Sequence, residues 1–356
     1  IYAYPLIPVD ISSSPNVFLE VNKTTCILYV PFGSKHLYET ADQWKDFTHI
    51  VEMGSDQLIS NVRKISATQG GFTGHLDASD YFGGAEVIGD VDGDGIEDLA
   101  VGAGYDDDGA DDAGAVWILF MNKDRTVRSH QKISALEGNF YGDLDAGDFF
   151  GKVAALGDFD SDGVPDIVVG AWHDDDGGIQ SGAVWILLLN RDGSVKSYQK
   201  ISGTQGNITG IDTNHQFGFG LTSLGDLNGD GITDIAVGSP TYDDDGGLYR
   251  GSVWILFLNS DGTVKSKQLI TDRQGGFTGI LQDEDRLGIA VENMGDINGD
   301  GIVDIAVNAM YDNDGAYKAG AIYVLFLNSN GTVKHTKKIS ALEGWFNGII
   351  LSEDRF

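Results

Sequence analysis

One acidic stretch recurs four times along this chain, and it constrains the fold more than any other feature. "GDVDGDGIEDLAVG" (89–102) returns as "GDFDSDGVPDIVVG" (157–170), "GDLNGDGITDIAVG" (225–238) and "GDINGDGIVDIAVN" (295–308). The leading aspartates stand at 90, 158, 226 and 296, spaced by 68, 68 and 70. Other features keep that beat. "GAVWILF" at 114–120 recurs as "GAVWILL", "GSVWILF" and "GAIYVLF", and "YDDDG" at 105–109 as "HDDDG", "YDDDG" and "YDNDG". "QKIS" at 131–134 recurs at 199–202 and as "KKIS" at 337–340. A period of this length marks one supersecondary unit that buries its apolar faces only by stacking on copies of itself.

Each unit reads as four short strands. The first runs into the acidic loop, the second leaves it, the third is "GAVWILLLN" and the fourth "SVKSYQKIS". "NRDG", "NSDG" and "NSNG" join the third to the fourth, and Asp-Gly or Asn-Gly is a strong hairpin signal. The third strand is apolar almost throughout, which predicts cover on both faces. Four-stranded antiparallel sheets packed between like neighbours make an all-β propeller. Complete blades are expected over 82–134, 150–202, 217–271 and 287–340. Residues 50–66 align with the last two strands of an earlier, atypical blade, whose first two would be "NVFLEV" and "CILYV" in the region 1–49. Residues 341–356 begin a further repeat, so about five periods are present and a longer propeller or array is expected.

Composition narrows the setting. The chain has 356 residues, a net charge of −31 and 41% hydrophobic residues, so it has material for a core. Its acidity repels nucleic acid and anionic membrane surfaces. No apolar run approaches the roughly 20 residues of a membrane span. No signal peptide is visible at the N-terminus. The single cysteine, Cys26, sits in an apolar run and is expected to be a core thiol.

The acidic loops have the form D-x-[DN]-x-D-G-x-x-D. Crowded carboxylates repel unless a cation gathers them. Calcium takes six to eight oxygens. Side chains at positions 1, 3, 5 and 9, with the carbonyl at position 7, supply such a set. The candidate ligands are Asp90, Asp92, Asp94, Ile96 and Asp98; Asp158, Asp160, Asp162, Val164 and Asp166; Asp226, Asn228, Asp230, Ile232 and Asp234; and Asp296, Asn298, Asp300, Ile302 and Asp304. About four calcium ions per chain are expected, held less tightly where position 3 is Asn. An EF-hand is excluded, because its position-12 Glu is here Val101, Val169, Val237 or Val307. Zinc prefers His and Cys, which the loops lack, and magnesium prefers octahedral sites that keep several waters.

A second acidic cluster lies between strands two and three, at the opposite end of each blade: Asp106 and Asp108, Asp174 and Asp176, Asp243 and Asp245, Asp312 and Asp314. It is a candidate face for further cations or a basic partner, or a solubilising rim.

Phe-Gly opening a unit, then the nine-residue loop, then "VGSP" (237–240) resembles the FG-GAP repeat of integrin α-subunit propellers. Bacterial and algal extracellular proteins with this repeat are also similar, through "LNSDGTVKS". The resemblance spans roughly 50–356. It implies a β-propeller, calcium between the first two strands of a blade and an extracellular or cell-surface location. The Gly-Ala-Pro element departs as "GAG", "GAW", "GSP" and "NAM", and the fourth unit opens with Leu287-Gly288.

The expected function is a non-enzymatic, calcium-binding adhesion or structural module that meets a protein, a glycan or its own copies outside the cell. The sequons at Asn22, Asn207 and Asn330 permit N-glycans. The alternative is a lectin-like propeller using Tyr105, Trp172, Tyr242 and Tyr311 as sugar platforms, against the expectation that these rings pack at blade seams. Trp117, Trp185 and Trp254 fall inside third strands and are expected in the core. The histidines follow no repeat register, and no nucleophile constellation or phosphate loop is present, so no catalysis is expected.

Overall fold

A computed structural model of the chain describes all residues except 2, 4, 6, 12–16, 19, 20, 32, 53–62, 244–246 and 345–349. The chain divides into two units, Ile1–Lys64 and Ile65–Phe356.

In the first unit, β1 (Ile27–Val30) and β2 (His49–Glu52) pair in parallel, with α1 (Lys35–Thr40) between them. Parallel neighbours need a crossover, and the helix supplies it. Leu28, Val30, Tyr38, Phe47 and Ile50 form a small core, against which Cys26 and Trp44 pack. This differs from the blade strands expected here. "CILYV" contains β1, yet its partner runs in the same direction, whereas neighbours within a blade are antiparallel. Most of the expected 50–66 hairpin, residues 53–62, lies outside the described residues.

The second unit holds four antiparallel four-stranded sheets arranged as a β-propeller. Blade one is β3 (Gly83–Gly89), β4 (Asp98–Ala103), β5 (Ala115–Met121) and β6 (Val127–Ile133). Blade two is β7 (Phe150–Gly157), β8 (Asp166–Ala171), β9 (Ala183–Leu189) and β10 (Val195–Ile201). Blade three is β11 (Gly220–Gly225), β12 (Asp234–Ser239), β13 (Ser252–Leu258) and β14 (Val264–Ile270). Blade four is β15 (Leu287–Gly295), β16 (Asp304–Ala309), β17 (Ala321–Leu327) and β18 (Val333–Ile339). The turn that closes a fourth strand, Ser134 N–H to Glu137 O, is also present ahead of blade one, from Ser66 to Gln69.

Three cores lie between consecutive blades. Val116, Ile118 and Phe120 of β5 meet Val153, Ile167 and Val169 of blade two. Equivalent clusters join blade two to three and three to four. This explains why third strands are apolar on both faces: every residue of β5 and β13 is buried. In blade four, Ile322 and Phe326 are only half-buried. Burial of one such side chain is worth about 1.5–3 kcal/mol, so the seams dominate stability.

At each seam a glycine ahead of the third strand, Gly114, Gly182 or Gly251, lets the start of the next blade approach. Gly182 has φ +84°, and a Cβ there would meet the Phe217 carbonyl oxygen at 2.1 Å. Only glycine allows this backbone approach. At the far end, Phe356 N–H donates to Ala319 O at 2.8 Å, as Phe150 N–H does to Ala113 O at 3.0 Å.

Candidate metal centres

Each acidic loop begins at an irregularity in the strand one–strand two pairing, at Gly89, Gly157, Gly225 and Gly295. Such bulges re-aim the chain at strand ends. The position-6 glycines, Gly95, Gly163, Gly231 and Gly301, all have φ between +83° and +85°. A Cβ at Gly95, Gly231 or Gly301 would meet nothing within 4 Å, so the requirement is conformational.

The aspartates organise the loop backbone. In the first loop, Asp90 Oδ1 accepts the Gly93 and Asp94 N–H groups at 2.8 and 3.0 Å, and Oδ2 accepts Gly95 N–H at 2.8 Å. Asp226 and Asp296 hold the same three loop positions. Asp158 holds two of them. These bonds, Gly95 N–H foremost, lower the Asp90 pKa. The position-9 aspartate is buried and staples the loop to the third strand: Asp98 accepts Val91 N–H at 3.0 Å and Met121 N–H at 2.9 Å. Asp166, Asp234 and Asp304 do the same with the matching residues. Burial pushes Asp166 and Asp234 up to about 6 and raises Asp98. A buried carboxylate of this kind is stabilised in its charged form by a cation.

The carboxylate oxygens of Asp90, Asp92 and Asp98 lie within 4.8 Å of one another, as do those of Asp158, Asp160 and Asp166. An all-oxygen donor set fits a hard cation such as calcium. In the third and fourth loops, Asn228 and Asn298 donate their amide nitrogens to Asp234 and Asp304, each at 3.1 Å. Position 7 anchors the loop: Val164 is in the core, Ile96, Ile232 and Ile302 pack against it, and each N–H donates to the position-5 aspartate.

The opposite end of the blade is built differently. Asp106 and Asp108 meet Lys132 Nζ at 2.8 and 2.7 Å, Asp174 and Asp176 meet Lys200 at 2.6 and 2.8 Å, and Asp312 and Asp314 meet Lys338 at 2.8 and 3.1 Å. The lysines also lie over the Trp117, Trp185 and Tyr323 rings. A further aspartate reaches each cluster from the loop before the blade: Asp80, Asp148 and Asp285. Burial raises all three, Asp148 to about 7 and Asp285 to about 6. The cavities they line measure about 450, 520 and 350 Å³.

Blade three breaks this pattern at two positions together. His215 stands where the other blades have the buried aspartate, and Leu269 where they have the lysine. Asp212 N–H donates to His215 Nδ1 at 3.0 Å, as Asp145 N–H does to Asp148 at 2.8 Å. Lys267 takes over the ring contact, 4.6 Å above Trp254, its ammonium group donates to the Thr209 carbonyl, and burial lowers its pKa. Asp243 accepts Arg250 N–H at 3.4 Å, while Asp245 lies outside the described residues. The sequence reading brings the acidic loops before the blades, "DLDAGDFFG" (143–151) and "LQDEDRLG" (281–288), to this end but misses the lysines. The lysine signal was present in "QKIS", in register with "SDYFG", "GDFFG" and "EDRLG".

Trp117, Trp185 and Trp254 are buried, as expected. Tyr105 packs between Tyr81 and Phe149 at 4.5 and 4.7 Å, and Trp172 packs between Phe149 and Phe219 at 4.7 and 4.8 Å, stacked only on Phe149. Tyr242 packs on His215 and Trp254, and Tyr311 against Arg286, Lys318 and Arg355. Among the sequons, Asn207 donates its Nδ2 to Val264 O at 2.8 Å, whereas Asn22 and Asn330 are exposed and accept from their own threonines.

The FG-GAP repeat family matches residues 82–119, 217–256 and 294–325, which fall in blades one, three and four. Integrin alpha-PS2 of Drosophila melanogaster is 28% identical over 328 residues, 89% of this chain and 20% of that protein. Integrin alpha-2 of Mus musculus is 32% identical over 168 residues, 46% of this chain and 13% of that protein. Integrin alpha-6 of Gallus gallus is 35% identical over 164 residues, again 46% and 13%. The chain thus spans a fifth or less of the length of these relatives. The four-bladed β-propeller thus carries FG-GAP repeats in three of its blades and is similar to integrin α subunits.

Proposed function

We propose that this integrin-like propeller is a calcium-stabilised adhesion or structural module working outside the cell, with about four calcium ions per chain and its loops presented to a protein partner. The observation that carries the calcium assignment is the convergence of the position 1, 3 and 9 carboxylates in the first two loops. Positions 1, 3, 5 and 9 would hold the ion in every loop, with the carbonyls of Ile96, Val164, Ile232 and Ile302 completing the set. The ion would supply charge neutralisation at a blade end already shaped by Asp–backbone bonds. Binding confined to the folded state adds about 2.7 kcal/mol per site at 100 times Kd.

The extracellular adhesion role rests on similarity to integrin α subunits. Exposed Asn22 and Asn330 are the sequons open to glycan attachment, and Asn207 is committed to its backbone contact. A sugar platform needs an open ring face, and the rings of Tyr105, Trp172, Tyr242 and Tyr311 already pack on neighbours, which favours the protein partner over the glycan.

The test is thermal unfolding in excess calcium and in a strong chelator, with calcium stoichiometry by titration calorimetry. A raised midpoint with about four ions bound supports the proposal. An unchanged midpoint with no bound ion overturns it.

A further inference from the structure

A basic residue stands at one register position in every blade, directly after the valine that opens the fourth strand: Arg128, Lys196, Lys265 and Lys334. The 3–4 hairpin brings that position to the acidic loop of its own blade. Lys196 Nζ lies 2.6 Å from Asp160 Oδ2 and 2.5 Å from Asp162 Oδ2. Arg128 reaches Asp92 Oδ2 and Asp94 Oδ2 with its two terminal nitrogens. Where position 3 is asparagine, the contact is to position 5: Lys265 to Asp230 at 2.8 Å and Lys334 to Asp300 at 3.0 Å.

The other oxygens of these carboxylates are committed to the loop backbone. Asp160 Oδ1 accepts Asp162 N–H at 3.2 Å, and Asp162 Oδ1 accepts Val164 N–H at 2.9 Å. The Oδ2 atoms are the ones left for a cation, and the ammonium group holds them. A divalent ion and an ammonium group sharing one pair of carboxylates repel each other at close range. Lys196 keeps 40% of its side-chain surface in solvent. Its flexible stem can carry the charge away when an ion arrives. The Arg128 fork matches two carboxylates at once and is harder to displace.

We infer that Arg128, Lys196, Lys265 and Lys334 are tethered competitors of the calcium ion, holding each loop together without metal and setting its calcium affinity from the fourth strand. This inference rests on the calcium reading above. It also modifies the affinity order expected from carboxylate counts. The asparagine loops lose one charged ligand, yet their competitor holds one carboxylate instead of two, which narrows the gap between the loop classes. Among the two aspartate loops, the one facing Arg128 binds calcium more weakly than the one facing Lys196.

The experiment is calcium titration calorimetry on the full chain and on the R128Q/K196Q/K265Q/K334Q variant, with thermal unfolding of both in chelator. Competition predicts about fivefold tighter calcium binding per site, the equivalent of about 1 kcal/mol, together with a lower unfolding midpoint in chelator. Repeating the titration at 1 M salt, where the screening length is about 3 Å, separates contact from long-range field. A gain that persists supports competition, and a gain that vanishes overturns it. Unchanged or weaker binding also overturns it and leaves the calcium reading standing. If the parent chain binds no calcium, both fall. Should the fourfold variant fail to fold, K196Q alone carries the test, tightening one site in four, while K196R weakens that site; an unchanged or tighter site in K196R overturns the competition.

Discussion

The two ends of a blade solve the same electrostatic problem in different ways. At one end Asp158, Asp160, Asp162 and Asp166 crowd a loop whose Lys196 partner is half in solvent. At the other, Asp148, Asp174 and Asp176 crowd around Lys200, which is 6% exposed and fixed by two carboxylates and an indole face. The first end has a removable counter-charge and a backbone shaped around oxygen donors. The second has a permanent one. Carboxylate density alone therefore does not set the two ends apart. Burial of the compensating charge does. Blade three sharpens the point, since removing the lysine there goes with removing the buried aspartate.

The largest expected effect comes from breaking the closed end. Lys200→Met leaves the buried Asp174 without its partner and is expected to cost about 3–5 kcal/mol in denaturant unfolding, whether or not calcium is present. A loss below 1 kcal/mol would mean that the closed end is no more committed than a surface ion pair.

At the open end, Asp166→Ala removes the acceptor of the Phe159 and Leu189 N–H groups. About 2–3 kcal/mol should be lost even in chelator, with one calcium fewer by titration. Loss of the ion without loss of metal-free stability would make Asp166 a ligand only.

The blade-three exchange can be run in reverse. His215→Asp and Leu269→Lys should each destabilise the protein, and the double variant should recover about 1–2 kcal/mol of their summed cost. Strict additivity would show that the two positions do not form one unit.

The smallest effect is a pH slope. The folded-state value of Asp148, about 7, lies above its ordinary carboxylate value, because burial disfavours the charged form. Between about pH 4 and 7 the folded state therefore binds more protons at this group than the unfolded state, and stability falls as pH rises through that window. Asp148→Asn keeps an acceptor for Asp145 N–H and should flatten this part of the curve, measured as midpoint against pH in chelator. An unchanged slope would remove Asp148 from the titrating cluster.

Much of this molecule was legible in one dimension. The repeat places all sixteen propeller strands, because hairpin signals and two-faced apolar strands are local patterns. The nine-residue loops were legible for the same reason: the position-6 glycine and its flanking aspartates act on backbone within a few residues. The 27–52 region was misread, since its parallel pair depends on a crossover through α1 and not on a turn.

The sequence by itself determined the strands of the four complete blades and the carboxylates at each end of them. Only the tertiary structure decided which carboxylates have a cation of their own. Lys132 lies 24 residues from Asp108, and Arg128 lies 34 from Asp94. Within a single strand, β6, the first of these turns to the closed end and the second to the open one. A strand about four residues long between two basic groups spans roughly 13 Å, so a short run of sequence serves both ends. That assignment depends on sheet register and on the loops packed beside it, neither of which is written into the spacing of charges along the chain.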